Sequence, residues 1–500
     1  VLSILVAATL PVMGAQEVAT QSAPAPPTTA EEWRRTALSD LDAARALLLG
    51  QTPIPFDAEN PAYAAWLDEG YAVARQLAEQ AQDEPGAFYA VARFINGFRD
   101  PHINLSPARP LPAPRWPGFV AASRGGGAIV TWRDATDPEL PPVGTPILAC
   151  DGKALPLLAD ERVFPFMMNA KLAGDRRRAV TRLFLDRGIP WAPPPARCRV
   201  ATSEGESDLD LRWRPLPTDA DAYYRAYSDA SLGPGAAWGV SEPAVGVTWI
   251  GVPTFDSSED TSPRLEALIH DVAARGGAMR AGRAIVIDLR GNGGGSSLWA
   301  DRLATAIFGE EVVRRARGAS PRSAVDWRAS KENIAFWRAW ITETGVRDFG
   351  KHSDAVRFGE RAVKGMTRAL ERTPPLWRDG PKRTSASGGL TSRRPRGSGP
   401  FPAQVVVLSN GTCGSSCLNF ADTVLFVPGV RLIGSATSGD GPYMEVRSEK
   451  LPSGLATLTF PQKVWRGMGR GALEAYEPNL SYDGSWDDAS VRAWVMQAID

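Results

Sequence analysis

Histidine is scarce: the 500 residues hold three, His102, His270 and His352. A multi-histidine metal centre is therefore not expected. An excess of either charge is also missing, since Lys+Arg and Asp+Glu both number 56. Without a basic surplus there is no broad electrostatic reason to expect nucleic acid or an anionic membrane as the main partner. No run beyond the first residues is long and apolar enough for a transmembrane helix, which needs roughly 20 apolar residues, so stable membrane insertion is not expected. Cysteine is limited to Cys150, Cys198, Cys413 and Cys417. What the chain has in quantity is Gly (48) and Pro (42), so loops should be abundant.

The first fifteen residues, Val1 to Ala15, form a short apolar run that ends in small residues. They read as the hydrophobic core of a secretory signal peptide cut near Ala15, followed over 16–30 by a flexible Ala/Pro/Thr/Ser spacer. The chain is thus expected to be exported, periplasmic or secreted. In that setting four cysteines favour disulfides over zinc, because no second Cys or His pair lies near any of them. Buried free thiols are the alternative.

Residues 31–110 read as a helical N-terminal region. Trp33, Ala37, Leu38 and Leu41 recur at helical spacing, a second stretch carries Trp66, Tyr71, Ala74 and Leu77, and a third runs from Ala87 to Phe98. Residues 111–240 are mixed and β-rich. Within them Val143-Gly-Thr-Pro-Ile-Leu-Ala-Cys-Asp-Gly152 resembles a stretch of PDZ-type peptide-binding domains, although a strand followed by Asp-Gly is also a common hairpin signal. From 241 to 500 an α/β pattern takes over. Ala284–Asp288 and Gln404–Leu408 are short apolar runs of the kind found in buried parallel strands. An insertion over 311–400 separates them, and its last third, from Glu371 to Pro400, reads as a solvated basic loop.

Two segments carry chemistry. In Ile287-Asp-Leu-Arg-Gly-Asn-Gly-Gly-Gly-Ser296 a buried strand empties into a glycine turn that opens a helix. A phosphate loop would need a lysine that is absent, and the glycine spacing does not fit a dinucleotide fingerprint. An oxyanion hole built from backbone N–H groups is the third option. In Leu408-Ser-Asn-Gly-Thr-Cys-Gly-Ser-Ser-Cys417 another buried strand ends in a polar turn before a helix. A serine there is ordinarily an N-cap, yet the same place suits a nucleophile, because the helix dipole and adjacent N–H groups stabilise charge growing on the attacked carbonyl.

Together the two segments resemble the C-terminal processing (tail-specific) serine peptidases and their relatives, the branch with tricorn protease and the chlamydial protease-like activity factor in particular. The resemblance rests on Asp288-Leu-Arg-Gly-Asn-Gly-Gly-Gly295 and on Phe420-Ala421, which follow the serine by five and six positions. It implies a mixed α/β (α+β) fold, with a crotonase-like ββα spiral as catalytic domain beside the helical N-terminal region and the PDZ-like one. It makes Ser415 the nucleophile, with an oxyanion hole at Gly293, Gly294 and Ser416. The Cys413-Gly-Ser-Ser-Cys417 arrangement is similar to a subgroup with a C-x-S-x-C site. A Cys413–Cys417 bond is feasible across one helical turn, and Cys150 with Cys198 is the second expected pair.

Serine needs a base. Where the Ser–Lys branch of the family places its lysine, after a G-x-x-T-x-G turn, this chain has Asp440, and Lys450 and Lys463 are misplaced. The other branch takes a histidine from a D-x-H segment, here Asp100-Pro-His102, and a late glutamate. Glu474 fits that glutamate better than Glu477. The expectation is an exported serine endopeptidase acting on polypeptides through an acyl-enzyme, with Ser415, His102 and Glu474 as its catalytic residues and no metal or cofactor. A non-catalytic ligand- or peptide-binding protein on the same fold is the alternative. An amidase or esterase acting on cell-envelope material would use the same acyl transfer.

Overall fold

The computed structural model describes residues 26–124, 127–217, 220–318, 323–382, 397, 399–468 and 470–500. The expected signal peptide lies outside the described residues, as does half of the expected basic loop. None of the described helices is long and apolar enough to cross a membrane. The chain forms two compact units. One is drawn from Val1–Pro110, Pro321–Gly388 and Gly441–Gly471, the other from Leu111–Ser320, Gly389–Asp440 and Ala472–Asp500.

The first unit opens with three helices, Ala30–Gln51, Pro61–Ala78 and Glu84–Asn96. Thr29 caps the first by accepting from the Glu32 N–H while the Glu32 side chain returns to the Thr29 N–H, a capping box that satisfies two otherwise orphan donors. Asp83 caps the third at Gly86 N. The unit's antiparallel sheet is assembled from distant pieces. Ala456–Arg466 pairs with Tyr443–Lys450 on one side and with Asn104–Pro107 and Ala324–Arg328 on the other, and Leu376–Asp379 extends the sheet beyond Ala324–Arg328. The segment read as an insertion thus supplies two strands and the helices Lys331–Trp340 and Asp354–Ala369, whose apolar faces bury Trp337, Trp340 and Phe358 around Trp327. Arg378, assigned from sequence to the basic loop, lies on a strand and is paired with Asp326.

The second unit contains a six-stranded sheet. Val247–Gly251, Ala284–Asp288, Gln404–Ser409 and Arg431–Gly434 run parallel, Gly239–Ala244 is antiparallel at one edge, and Leu480–Ser481 closes the other. Ala284–Asp288 is buried throughout, which is why it reads as an unbroken apolar run. One sheet face packs on the helices Thr261–Ala281, Ser297–Phe308 and Ser416–Val424; the other packs on Trp486, Val491 and Val495 of the C-terminal segment. A second sheet, Phe119–Arg124 through Gly205–Asp210, is a five-stranded antiparallel meander carrying helices Leu155–Arg162 and Ala173–Leu183. This meander does not confirm the PDZ-like expectation. Cys150 and Cys198 face each other across its neighbouring strands and are disulfide-bonded.

Candidate active site

Both segments singled out in the sequence leave the same end of the parallel sheet. Asp288 and Leu408 are register partners on adjacent strands, and the Leu289 N–H donates to Leu408 O at 2.9 Å. Ligands of open parallel sheets bind beyond the carboxyl ends of the strands, and here two polar turns are delivered side by side.

The glycine turn is held from beneath by an ion pair. Asp288, fully buried, accepts from Arg290 Nε at 3.0 Å and Nη2 at 2.8 Å and from Trp249 Nε1 at 3.2 Å. Arg290 also reaches Asp488 at 2.9 Å. Despite burial, these two carboxylates hold the Arg290 guanidinium above its ordinary pKa, so it stays charged. Two buried asparagines then fix the turns. Asn292 donates to Val252 O at 2.9 Å and accepts from the Gly294 N–H at 3.0 Å. Asn410 donates to Leu232 O at 2.9 Å and accepts from Thr412 Oγ1 and the Gly291 N–H, and Gly291 N also donates to Thr412 Oγ1 at 3.0 Å. The last two bonds stitch the serine turn to the glycine turn.

Ser415 stands directly before the helix Ser416–Val424, with φ 52° and ψ −124°. A non-glycine residue at positive φ is strained and persists where the surroundings over-determine it; a serine on a tight strand-to-helix turn is the geometry of a nucleophile elbow. Its side chain makes no cap bond to the helix, so the N-cap reading does not hold. The disulfide Cys413–Cys417 brackets it, with Cα atoms 5.2 Å apart. Ser415 is partly exposed, whereas Ser416 is fully buried, its hydroxyl without a partner among the described residues. Gly294 lies against the serine. At φ 116°, a Cβ placed on it would stand 2.7 Å from Ser415 Cβ and 3.1 Å from Oγ.

The expected oxyanion hole needs one correction. Gly294 cannot donate to a ligand, because its N–H is already bonded to Asn292 Oδ1. Gly293, which is exposed, and Ser416, which is buried, keep backbone N–H groups with no hydrogen bond among the described residues.

Glu474 belongs to the same unit as Ser415. Its segment is bolted on both sides: Leu473 N–H donates to Asp440 O at 2.7 Å, Tyr476 N–H to Thr437 Oγ1 at 2.9 Å, and Thr437 N–H to Tyr476 O at 3.1 Å. The adjacent Ser438 N–H donates to Cys413 O at 3.0 Å, so the glutamate's segment is tied to the serine turn. Glu474 is half-buried there and Glu477 exposed. His102 belongs to the other unit, in a turn before the strand Asn104–Pro107, and is 5% exposed. Asp100 Oδ1 accepts from the His102 N–H at 2.9 Å and lies 3.5 Å from Nδ1; Tyr63 OH donates to the other carboxylate oxygen at 3.3 Å. Sequence reading passed over Asp100 as part of a motif; its spacing two residues before the histidine was the available signal.

Lys463 is in the histidine's unit and fully buried, bonded to Glu445 at 2.9 Å and boxed by Trp327 and Phe358. Burial pulls its pKa down although Glu445 opposes this. No group of three or more metal-ligating side chains occurs among the described residues.

Residues 246–478 match the sequence profile of peptidase family S41. No curated protein matches the chain significantly. Among solved structures the chain is similar to mature CPAF, at 16% identity and a TM-score of 0.60 over 93% of this chain and 98% of that one. It is likewise similar to mature CPAF complexed with lactacystin, at 16% identity and a TM-score of 0.58 over 93% and 99%. These likenesses establish a shared fold.

Proposed function

We propose, from the premise that this chain belongs to peptidase family S41 and is a serine-type peptidase, that it is an exported endopeptidase working through Ser415, His102 and Glu474. In this reading His102 takes the Ser415 proton as Oγ attacks a peptide carbonyl. The N–H groups of Gly293 and Ser416 receive the oxyanion. The protonated imidazole passes its proton to the departing amine, leaving an acyl-enzyme, and then takes a proton from the water that releases the acid. Glu474 orients the imidazole. The reading requires His102 to come within hydrogen-bond reach of Ser415. A leader at Val1–Ala15 would carry the protein out of the cytoplasm, where both disulfides are at home.

The observation that carries the proposal is Ser415 itself: partly exposed, strained, at a helix start, with two unengaged N–H groups beside it. Hydrolysis of fluorescent casein tests it. Ser415→Ala and His102→Ala should each lower kcat/KM by at least about 10³-fold, since triad members act as a unit. The parent rate should rise as pH passes through roughly 6–7, where an ordinary histidine loses its proton. Lys450→Ala should leave hydrolysis intact. If Lys450→Ala abolishes hydrolysis and His102→Ala does not, the histidine assignment fails. If the parent hydrolyses nothing and no fluorophosphonate labels Ser415, the binding-protein reading on this fold takes over.

A further inference from the structure

Away from Ser415, the second unit holds a cavity of about 810 Å³ between the antiparallel meander and the C-terminal segment around Tyr482 and Trp486. Its apolar lining includes Ile147, Leu148, Leu155, Phe164 and Val180. Three arginines line it as well, and among the described residues two of them, Arg124 and Arg177, have no carboxylate partner. Among the described residues, Arg124 bonds only to the neighbouring Ser123 O, at 3.1 Å. Arg177 donates to Ser435 Oγ at 3.2 Å and to Asn410 O, stacks over Trp486, and leaves Nε unpartnered among the described residues.

This arrangement is costly as it stands. Burial, then repulsion from Arg178 and Arg124, lowers the Arg177 pKa to about 10. Burial lowers that of Arg124 too, against only a weak opposing effect of the Tyr482 phenol. Of the other charged groups at the cavity, Arg176 is ion-paired with Asp160, and Asp483, the only carboxylate among the lining residues, is exposed. Partly desolvated like charges without a counter-ion are unfavourable, and an incoming anion would relieve both.

We propose that this cavity is a second polypeptide-binding site, one that takes an acidic side chain between Arg124 and Arg177 and its apolar neighbours against Ile147, Leu155 and Val180. It rests on the endopeptidase reading, which supplies a polypeptide as occupant. A chain-terminal carboxylate is captured by a nest of backbone N–H groups, whereas clustered arginines are the means of reading acidic side chains. The cations here are guanidinium forks, which match a carboxylate in two parallel bonds.

Calorimetric titration of the full-length Ser415→Ala protein, which leaves peptides uncut, tests this. The probe is a C-terminally amidated twelve-residue peptide with Leu-Glu-Val-Glu-Phe set in Gly and Ser. Replacing both Glu by Gln should weaken binding at least tenfold. Arg124→Gln in the protein should do the same, while Arg264→Gln, on the exposed face of Thr261–Ala281, should not. Leu148→Asp, which places a competing carboxylate at a partly exposed lining position, should also weaken binding, and it serves if Arg124→Gln fails to fold. Equal binding of the Glu and Gln peptides overturns the proposal. So does tight binding of a Glu-free peptide that depends on a free C-terminal carboxylate. Because the titration needs no catalysis, failure here leaves the Ser415 mechanism standing, and failure of casein hydrolysis leaves the acidic-peptide site standing.

Discussion

A methyl group at Gly294 would occupy space already filled by the nucleophile. At φ 116° the backbone disfavours any L side chain, and the nearest atoms are Ser415 Cβ and Gly414 O, 2.7 and 2.9 Å from the added carbon. Gly294→Ala should therefore displace Ser415 rather than relax around it. The expected result is a fall in kcat of at least 100-fold, since about 1 Å of misplacement costs that much, with far-UV circular dichroism unchanged. At this scale the sequence nominated residues but said little about their hydrogen bonds. Spacing to Phe420-Ala421 favoured Ser415 over Ser416; Ser416 is buried and Ser415 partly exposed. Nothing in the run of glycines indicated that Asn292 captures the Gly294 N–H, because that bond depends on a turn closing in three dimensions. Asp100 was visible only as a letter in a motif, and its contact with the imidazole needed the turn.

Among elements, the strands that carry the two turns were the most legible. Ala284–Asp288 and Gln404–Ser409 are almost wholly buried, and burial on both faces imposes continuous hydrophobicity. The first two N-terminal helices were legible for a related reason, since one face of each is buried at helical spacing, whereas Glu84–Asn96 is buried almost all round and reads as a nearly continuous apolar run. The serine turn adds a covalent element. Closing a five-residue loop, the Cys413–Cys417 bond restricts the unfolded chain by only about 2 kcal/mol, so its effect should be local. The Cys413→Ala/Cys417→Ala double variant should melt at a slightly lower temperature yet acylate Ser415 at least tenfold more slowly. Non-reducing peptide mapping of the parent should recover the two cysteines in one linked peptide. Rapid acylation by the double variant would show that the turn holds its strain without the bond.

At the scale of the whole molecule the sequence said least about which pieces belong together. The antiparallel sheet of the first unit draws on 104–107, 324–328, 376–379 and 443–466, and pairing across such separations leaves no local periodicity to read. Inside that unit Asp326 accepts from Arg378 at 2.7 Å and from Arg466 at 2.8 Å, while Arg466 also holds Asp57. Burial alone would raise the Asp326 pKa, but the two guanidiniums outweigh it and leave it below the ordinary value. A depressed folded-state pKa contributes stability that is complete above about pH 4, the unfolded value, and is lost as pH falls through the folded one. Asp326→Asn should accordingly destabilise the protein by about 3–5 kcal/mol at pH 7. Its deficit in thermal melts should shrink below pH 4; a deficit independent of pH would contradict the ion-pair account. The central claim, that Ser415 is the nucleophile, is tested most directly by fluorophosphonate labelling followed by mass-spectrometric mapping of the adduct. The account predicts one adduct, on Ser415, absent from Ser415→Ala, retained in Ser416→Ala and strongly slowed in His102→Ala; an adduct on Ser416, or none on the folded parent protein, would contradict it.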